Sequence, residues 1–356
     1  MPTNVTPEYK KAEEAYRKAR EPRERLDCLR QMLSTIPKHK GTEHLQADIK
    51  SRIKDLTEEL AGPKKGGKRS GPALTLRPEG AAQIALLGPP NSGKSALHQR
   101  LTGSRAQSGP GSFITQFPEP GMLPYEDIAF QLLDLPSMSA EHSPPWIAST
   151  LQTADAALLV VDLSDPGCVE QVQFILDTLA TRRIRLVPEW PGVPRGDQPG
   201  GSAAAAGSAD ELADPFRIDL PTLLLANKSD LAPNPDEVAV LEELLGVTFP
   251  ALRVSAETGL GLGEIAPWLF GALRIVRVYT KAPGKDPERD RPFTVRGGDT
   301  VLDVARLVHK DIAASFRFGR LWGSGVFDGQ QVGAEHPVAD GDIVELHAAR
   351  AASEPA

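Results

Sequence analysis

The hydrophobic positions in the first 60 residues recur at helical spacing. One stripe advances by four, four, three and four residues and comprises Leu45, Ile49, Ile53, Leu56 and Leu60. A second stripe precedes it and comprises Leu26, Leu29, Met32 and Ile36. The segment 36–41, which contains proline and glycine, separates them. The pattern predicts an antiparallel helical hairpin, with residues 7–20 forming a further, more polar helix.

The middle of the chain carries apolar runs of the length expected for buried strands. They occupy residues 81–87, 220–226 and 251–254. Residues 96–101 have the pattern of a helix and follow the first run after a glycine-rich loop. Strands that alternate with helices in this way predict an α/β domain with a parallel sheet.

The last 80 residues predict a separate small unit. Residues 274–280 alternate like a strand, and Thr300 with Asp303 forms a helix-capping pattern. The predicted apolar face of that helix is formed by Val304, Leu307, Val308, Ile312 and Phe316. Short strands are expected at 319–322 and 343–346, with a turn at 339–342 before the second. Strands around one helix at this size suggest a β-grasp fold.

The loop after the first apolar run carries the chain's most specific chemistry. Residues 88–95 read G-P-P-N-S-G-K-S and match the phosphate-loop pattern, whose backbone N–H groups surround the phosphates of a nucleoside triphosphate. Lys94 is expected to neutralise the β and γ charges during catalysis, and the Ser95 hydroxyl to bind Mg²⁺. A chance match in a glycine-rich chain is the alternative. The predicted phosphate contacts are Asn91, Ser92, Gly93, Lys94, Ser95 and Ala96.

Two further segments predict that the base is guanine. Asn227-Lys-Ser-Asp230 follows an apolar run, so it is expected at the carboxyl end of a strand, where ligands of open α/β sheets bind. Asp230 can accept hydrogen bonds from guanine N1–H and N2–H, a pair that adenine lacks, which disfavours an ATPase. Asn227 is expected to brace the loop, and the stem of Lys228 to cover the base. After the next run, the small-residue loop Ser255-Ala256-Glu257 can offer backbone N–H groups to the guanine oxygen.

In this order the motifs resemble those of the Obg-like GTPases, most closely the developmentally regulated GTP-binding (DRG) proteins. Residues 131–137 resemble the family's strand that ends in D-x-P-G, and residues 113–115 with 120–121 resemble its switch segment. The run 336–344 resembles the end of a TGS domain, a small β-grasp module. The resemblance implies that Thr115 closes over Mg²⁺ and the γ-phosphate as a catalytic residue, and that Asp134 holds Mg²⁺ through water.

Three residues near the phosphates leave the rate of hydrolysis open. Asn91 matches the position that coordinates K⁺ in potassium-activated relatives, or else it only shapes the loop. Ser137 stands where the family has glycine, and its Cβ restricts the backbone of the switch. Met138 stands where other GTPases place a glutamine that orients water, which an apolar side chain cannot do. The expected function is therefore a slow GTPase. The alternative is a non-hydrolysing GTP-binding scaffold or sensor that docks RNA or ribosomal protein through its helical and TGS regions.

Charge is distributed unevenly along the chain. Residues 1–70 contain 17 Lys and Arg against 11 Asp and Glu, whereas the whole chain carries a net charge of −7. Clustered basic residues can neutralise RNA phosphates, although a solvated helix surface with a solubilising linker gives the same composition. The family resemblance favours RNA, specifically a ribosome-associated switch in translation. Aromatic residues are not interleaved with these charges, so base stacking is not indicated, and nothing indicates specificity for DNA.

The remaining composition indicates a cytoplasmic protein of several domains. The two cysteines, Cys28 and Cys168, are far apart and predict neither a disulfide framework nor a metal site. No run approaches the roughly 18 apolar residues needed to cross a bilayer. The expected divisions are a basic helical region with its linker at 1–72, a GTPase domain at 80–274 and a TGS domain at 275–350. A proline- and glycine-rich stretch at 188–215 is expected to be a disordered insert.

Overall fold

The computed structural model describes residues 6–19, 22–37, 42–60, 76–104, 117–193, 216–231, 234, 236–323 and 325–349. Contacts divide the chain into two compact units. One contains the N-terminal helices together with Phe216 and Arg217. The other contains two β-sheets with their helices. Within the described ranges, no helix has both the length and the apolarity needed to span a membrane.

The N-terminal unit has the helices that the hydrophobic stripes predict. They are α1 (Pro7–Lys18), α2 (Pro22–Thr35) and α3 (Glu43–Leu60), and α2 packs against both of the others. The Thr6 side chain caps α1 by accepting from the Tyr9 N–H, which satisfies one of the free donors at the helix start. The core comprises Tyr9, Ala12, Tyr16, Leu29, Met32, Ile36, Ile49 and Phe216. Phe216 contributes an edge-on contact to Tyr16, with ring centroids 6.0 Å apart.

The larger sheet is a mostly parallel α/β sheet of seven strands. Its strands are β1 (Gln83–Leu87), β2 (Glu119–Tyr125), β3 (Ile128–Asp134), β4 (Ala156–Asp162), β5 (Ile184–Val187), β6 (Ile218–Asn227) and β7 (Ala251–Arg253). The order is β2-β3-β1-β4-β6-β5, with β7 also paired to β6. The helices of this domain are α4 (Lys94–Thr102), α5 (Ile147–Leu151), α6 (Cys168–Thr181), α7 (Glu237–Leu245) and α8 (Leu262–Ala272).

The pairing of these strands brings the sequence motifs together on the side of the sheet where the parallel strands end. β1 pairs in parallel with both β3 and β4, and β6 pairs in parallel with β4, β5 and β7, so their carboxyl ends point the same way. All five residues of β1 are buried, which is why the residues after Gln83 are apolar without alternation. Among the described strands of this sheet, β2 alone runs antiparallel, and it lies at the sheet edge, where Pro120 and Pro124 remove two backbone donors.

The insert expected at 188–215 is ordered at its start. The Trp190 side chain is 2% exposed and donates from Nε1 to the Thr222 carbonyl. The Gly192 N–H donates to the Ala272 carbonyl at the end of α8. Residues 188–193 are therefore packed against the GTPase domain, because one tryptophan buries enough apolar surface to fix a proline-rich segment. The rest of the predicted insert, residues 194–215, lies outside the described residues.

The smaller sheet forms the β-grasp domain that the sequence predicts. Its strands are β8 (Ile275–Thr280), β9 (Glu288–Arg296), β10 (Phe316–Trp322), β11 (Gln330–Val332) and β12 (Asp342–Ala348), in the order β11-β10-β12-β8-β9. The helix α9 (Val301–Val308) begins with the predicted capping box between Thr300 and Asp303. It is shorter than predicted, because the extended backbone of His309 separates it from α10 (Lys310–Ala314). Two residues of the predicted apolar face consequently lie elsewhere, since Leu307 is 53% exposed and Phe316 begins β10.

An arginine on β8 joins the two sheets of this unit. The Arg277 guanidinium donates to both oxygens of Asp340 in the β-grasp domain, at 3.0 and 2.7 Å, and to Asp127 at 2.9 Å and Glu126 in the turn between β2 and β3. Tyr279 also donates to Asp127. The tip of the β2–β3 hairpin is therefore held by the β-grasp domain through a charged cluster.

Candidate functional site

The backbone of the phosphate loop admits only glycine at two positions. A Cβ on Gly88 would lie 2.3 Å from the Val160 carbonyl oxygen, and one on Gly93 would lie 2.2 Å from Asn227 Nδ2. Gly93 also has a φ of +89° where it precedes α4, a conformation that other residues rarely adopt. Close packing against β4 and β6 therefore explains the two invariant positions of the motif in this chain.

Lys94 lies at the start of α4 with its ammonium group enclosed by protein oxygens. Nζ donates to the Gly88 carbonyl at 3.1 Å, the Pro89 carbonyl at 3.2 Å and the Ser137 hydroxyl at 2.8 Å. Burial lowers the pKa of Lys94 to about 8, against the opposing effect of the nearby Asp134 carboxylate. A buried cation at this point provides the charge needed to bind phosphates.

Ser95 and Asp134 place two oxygen ligands side by side. The Ser95 hydroxyl donates to Asp134 Oδ2 at 2.6 Å, and Asp134 is fully buried at the carboxyl end of β3. A hydroxyl and one carboxylate are a donor set that suits Mg²⁺, which takes oxygen ligands and keeps positions for water and substrate phosphates. The described part of the chain contains no cluster of three acidic, histidine or cysteine side chains that would favour another metal.

The Asn227 side chain connects three loops at the edge of the sheet. Nδ2 donates to the Ser92 carbonyl in the phosphate loop at 2.8 Å, and Oδ1 accepts from the Ala256 N–H at 3.1 Å. Asn227 is 1% exposed and ends β6. The asparagine side chain thus joins the loops through one donated and one accepted hydrogen bond. It brings the phosphate loop, the N-K-x-D segment and the loop after β7 to one place.

Lys228 makes an ion pair that the sequence reasoning missed. Nζ lies 2.6 Å from Asp162 Oδ2 at the end of β4, and the backbone of Lys228 has a φ of +58°. Burial of Asp162 opposes its ionisation, but hydrogen bonds from Lys228 and Ser164 hold its pKa below the usual value. The sequence did contain a signal for this residue. Asp162 directly follows the apolar run 156–161, which has the length of a buried strand, so an acid was to be expected at the end of a strand.

Several predicted contacts lie exposed at the same edge. Asp230 and Glu257 are exposed, Ala256 is half-buried, and Asn91 is exposed with a φ of +61° at the tip of the phosphate loop. Ser255 is buried, and its hydroxyl accepts from the Thr258 N–H at 3.1 Å, which tightens the loop. Thr115 lies outside the described residues.

The two residues that depart from the family pattern are anchored against the phosphate loop. Met138 is 1% exposed, and its backbone N–H donates to the Gly88 carbonyl at 3.3 Å. Its side chain belongs to the core beneath the sheet. Ser137 precedes it and accepts the hydrogen bond from Lys94, a contact between residue types that no motif predicts.

Comparison with known proteins identifies the two sheet domains. The family described as "50S ribosome-binding GTPase" matches residues 83–188, and the TGS domain family matches residues 276–348. An uncharacterized GTP-binding protein of Methanocaldococcus jannaschii is 27% identical, with 91% of this chain and 92% of that protein aligned. The developmentally regulated GTP-binding protein 2 homolog of Dictyostelium discoideum is 24% identical, over 91% of this chain and 98% of that protein.

Among solved structures, a GTP-binding protein from Pyrococcus horikoshii OT3 aligns with a TM-score of 0.47 and 18% identity, covering 75% of this chain and 100% of that chain. The family matches fall on the large and the small sheet in turn, and the sequence matches to named relatives extend along most of the chain. The chain therefore contains a GTPase domain followed by a TGS domain, and along most of its length it is similar to GTP-binding proteins of the DRG family.

Proposed function

We propose that this protein is a slow GTPase that acts as a switch on the ribosome. The observation that carries the proposal is the Asn227 side chain, which links the Ser92 carbonyl to the Ala256 N–H. This link supports one continuous site in which the phosphates lie on the loop at 88–95 and the base lies between the loops after β6 and β7. Asp230 at that edge would select guanine.

The proposed reaction is attack of water on the γ-phosphate of GTP. Mg²⁺, when bound, supplies positive charge that stabilises the transferring phosphoryl group. Ser95 and Asp134 would hold it, with Thr115 as the third ligand expected from the family resemblance. Lys94 would neutralise charge on the β and γ oxygens, and the backbone N–H groups of residues 91–96 would orient the phosphates. Asn91, exposed beside the loop, would coordinate K⁺.

A competition assay tests the choice of base. GTP should displace a fluorescent guanine nucleotide from the protein, whereas ATP at the same concentration should not. Asp230→Ala should remove this preference while leaving the phosphate contacts intact. Asp236→Ala is the matched control, since Asp236 is also an exposed acid near this edge and makes no side-chain cap to α7. Retention of guanine preference by Asp230→Ala would contradict the assignment.

The burial of Met138 favours a second candidate, a GTP-binding scaffold or sensor that does not hydrolyse the nucleotide. A side chain packed in the core cannot orient an attacking water, so turnover requires another group, a cation or a partner. Single-turnover hydrolysis in K⁺ and then in Na⁺ separates the two functions. The enzyme proposal predicts measurable turnover that is faster in K⁺. Binding of GTP without hydrolysis in K⁺, with or without ribosomes, would leave only the scaffold.

Three features support the ribosome as partner and hence a cytoplasmic location. The matched GTPase family is described as ribosome-binding, a TGS domain follows it, and residues 1–70 are basic. Co-sedimentation with ribosomes in GTP, in GDP and at rising salt tests this. A switch predicts binding that depends on the nucleotide and weakens with salt as phosphate contacts are screened. Equal binding with both nucleotides would refute the switch, and no binding would refute the partner.

A further inference from the structure

Ser137 provides the shortest hydrogen bond to the phosphate-loop lysine. An ammonium group has three N–H donors, and the structure gives Lys94 three acceptors. Two are the carbonyls of Gly88 and Pro89, at 3.1 and 3.2 Å, which belong to the phosphate loop itself. The third is the Ser137 hydroxyl at 2.8 Å, which comes from the segment after β3. The Ser137 side chain therefore supplies the acceptor that the loop does not.

The position of this hydroxyl is fixed by its neighbours. Leu135 is fully buried and Met138 is 1% exposed, so the segment is anchored in the core on both sides of Ser137. The Met138 N–H donates to the Gly88 carbonyl at 3.3 Å, which ties the same segment to the phosphate loop. Ser137 has no positive φ, so an ordinary L-residue backbone presents the hydroxyl to Lys94. The contact is thus determined by packing of the chain on either side.

This hydroxyl competes with one particular part of the nucleotide. In phosphate-loop enzymes the lysine bridges oxygens of the β- and γ-phosphates. A diphosphate brings only the β oxygen to Lys94, so the Ser137 hydroxyl can still accept a hydrogen bond from one N–H of the ammonium group. A triphosphate brings a γ oxygen that needs a second N–H of the same ammonium group. The charged phosphate oxygen is the stronger acceptor and displaces the hydroxyl, but the complex then loses that hydrogen bond.

We propose that Ser137 is a built-in substitute for a γ-phosphate oxygen on Lys94, which is kept when GDP binds and lost when GTP binds and so reduces the preference of this chain for GTP. The inference rests on the proposed guanine-nucleotide site. It assigns a role to a side chain that the glycine at this place in the family pattern cannot have. The bound diphosphate state would then be the favoured resting state, set by one hydroxyl group.

Titration of the full-length protein with GDP and with a non-hydrolysable GTP analogue, in Mg²⁺, tests the inference. Ser137→Ala removes only the hydroxyl, and Ser137→Gly restores the family residue. The hydroxyl bonds Lys94 with or without a diphosphate, and a γ oxygen displaces it. Both variants should therefore change GDP binding by less than about twofold and strengthen binding of the GTP analogue about tenfold, the effect expected for one hydrogen bond to a charged group. The ratio of GTP to GDP affinity should rise accordingly.

Ser139→Ala is the matched control, because Ser139 lies two residues further along and its hydroxyl accepts a local hydrogen bond from the His142 N–H. This variant should leave the affinity ratio unchanged. An unchanged or lower ratio in Ser137→Ala, with wild-type binding intact, would overturn the role of Ser137 and leave the proposed function standing. Failure of the wild-type protein to bind either nucleotide would overturn both.

Discussion

Replacing Asn227 should damage the stability of the GTPase domain as well as its ligand binding. The side chain is 1% exposed and makes two hydrogen bonds to different loops, one to the Ser92 carbonyl at 2.8 Å and one from the Ala256 N–H at 3.1 Å. Asn227→Ala removes both partners at once. The Ser92 carbonyl is then left in a buried position, whereas water can reach the half-buried Ala256 more easily.

The expected loss of unfolding free energy is about 2–4 kcal/mol. A buried polar group that loses its partner costs about 1–3 kcal/mol, and a hydrogen bond whose freed group regains water costs about 1 kcal/mol. Asn227→Asp should be at least as damaging. The carboxylate can still accept from Ala256, but it places an oxygen against the Ser92 carbonyl where Nδ2 donated.

Urea unfolding followed by tryptophan fluorescence, to which Trp190 in the core of this domain contributes, measures the effect. Asn234→Ala is the matched control, because Asn234 is exposed and accepts a local hydrogen bond from the Asp236 N–H at 3.1 Å, so it should cost less than about 1 kcal/mol. A loss below about 0.5 kcal/mol in Asn227→Ala, or wild-type stability in Asn227→Asp, would refute the view that these hydrogen bonds join the loops.

Two further substitutions have outcomes fixed by geometry. Gly88→Ala should destabilise the domain by about 2–4 kcal/mol in the same urea assay, because its Cβ meets backbone, whereas Gly103→Ala, with a φ of +67° and open space around it, should cost only about 1 kcal/mol. Equal costs would contradict the clash. Arg277→Ala should remove a contribution to the unfolding free energy that varies with pH. Hydrogen bonds from Arg277 lower the pKa of Asp340 from its ordinary 3.8. This contribution is therefore present above pH 3.8 and is lost as the pH falls below it. Unfolding at several pH values should therefore show the gap between wild type and variant narrowing below about pH 4, and a constant gap would contradict the assignment.

Hydrophobic spacing predicted about half of the helices and strands of this fold. The stripes at 26–36 and 45–60 correspond to α2 and α3, and the apolar runs correspond to β1, β6 and β7. A helix buried on one face leaves apolar residues at helical spacing, whereas a strand buried on both faces leaves a continuous apolar run. Spacing failed where one residue interrupts a continuous pattern. The apolar positions from Val304 to Phe316 suggested a single helix, but the extended His309 ends α9, and Phe316 enters a strand. Pairing with β12 decides that outcome, and pairing partners cannot be read from a single segment.

For the candidate site, motif spacing in the sequence was enough to single out the residues that lie close to the backbone of a neighbouring segment. Gly88, Gly93 and Asn227 lie in motifs of fixed spacing, and their close approaches in the structure explain that spacing. The contacts of Ser137 with Lys94, and of Asp162 with Lys228, could not be predicted. Each joins side chains from elements that are distant in sequence, so their meeting depends on strand order and on the exact length of each strand.

The β2–β3 hairpin connects the Arg277 contacts with the candidate phosphate site. Its strands are seven residues long, or roughly 20 Å, and they pair along their whole length. Asp134 ends one strand beside Ser95, and the opposite end of the hairpin is gripped by Arg277. A paired ribbon of this kind resists stretching, so Asp134 cannot shift along its strand axis while the arginine contacts and the strand register both stay as they are. The hairpin therefore keeps a constant distance between the Arg277 contacts and Asp134. A movement of the TGS domain that keeps those contacts must also move Asp134.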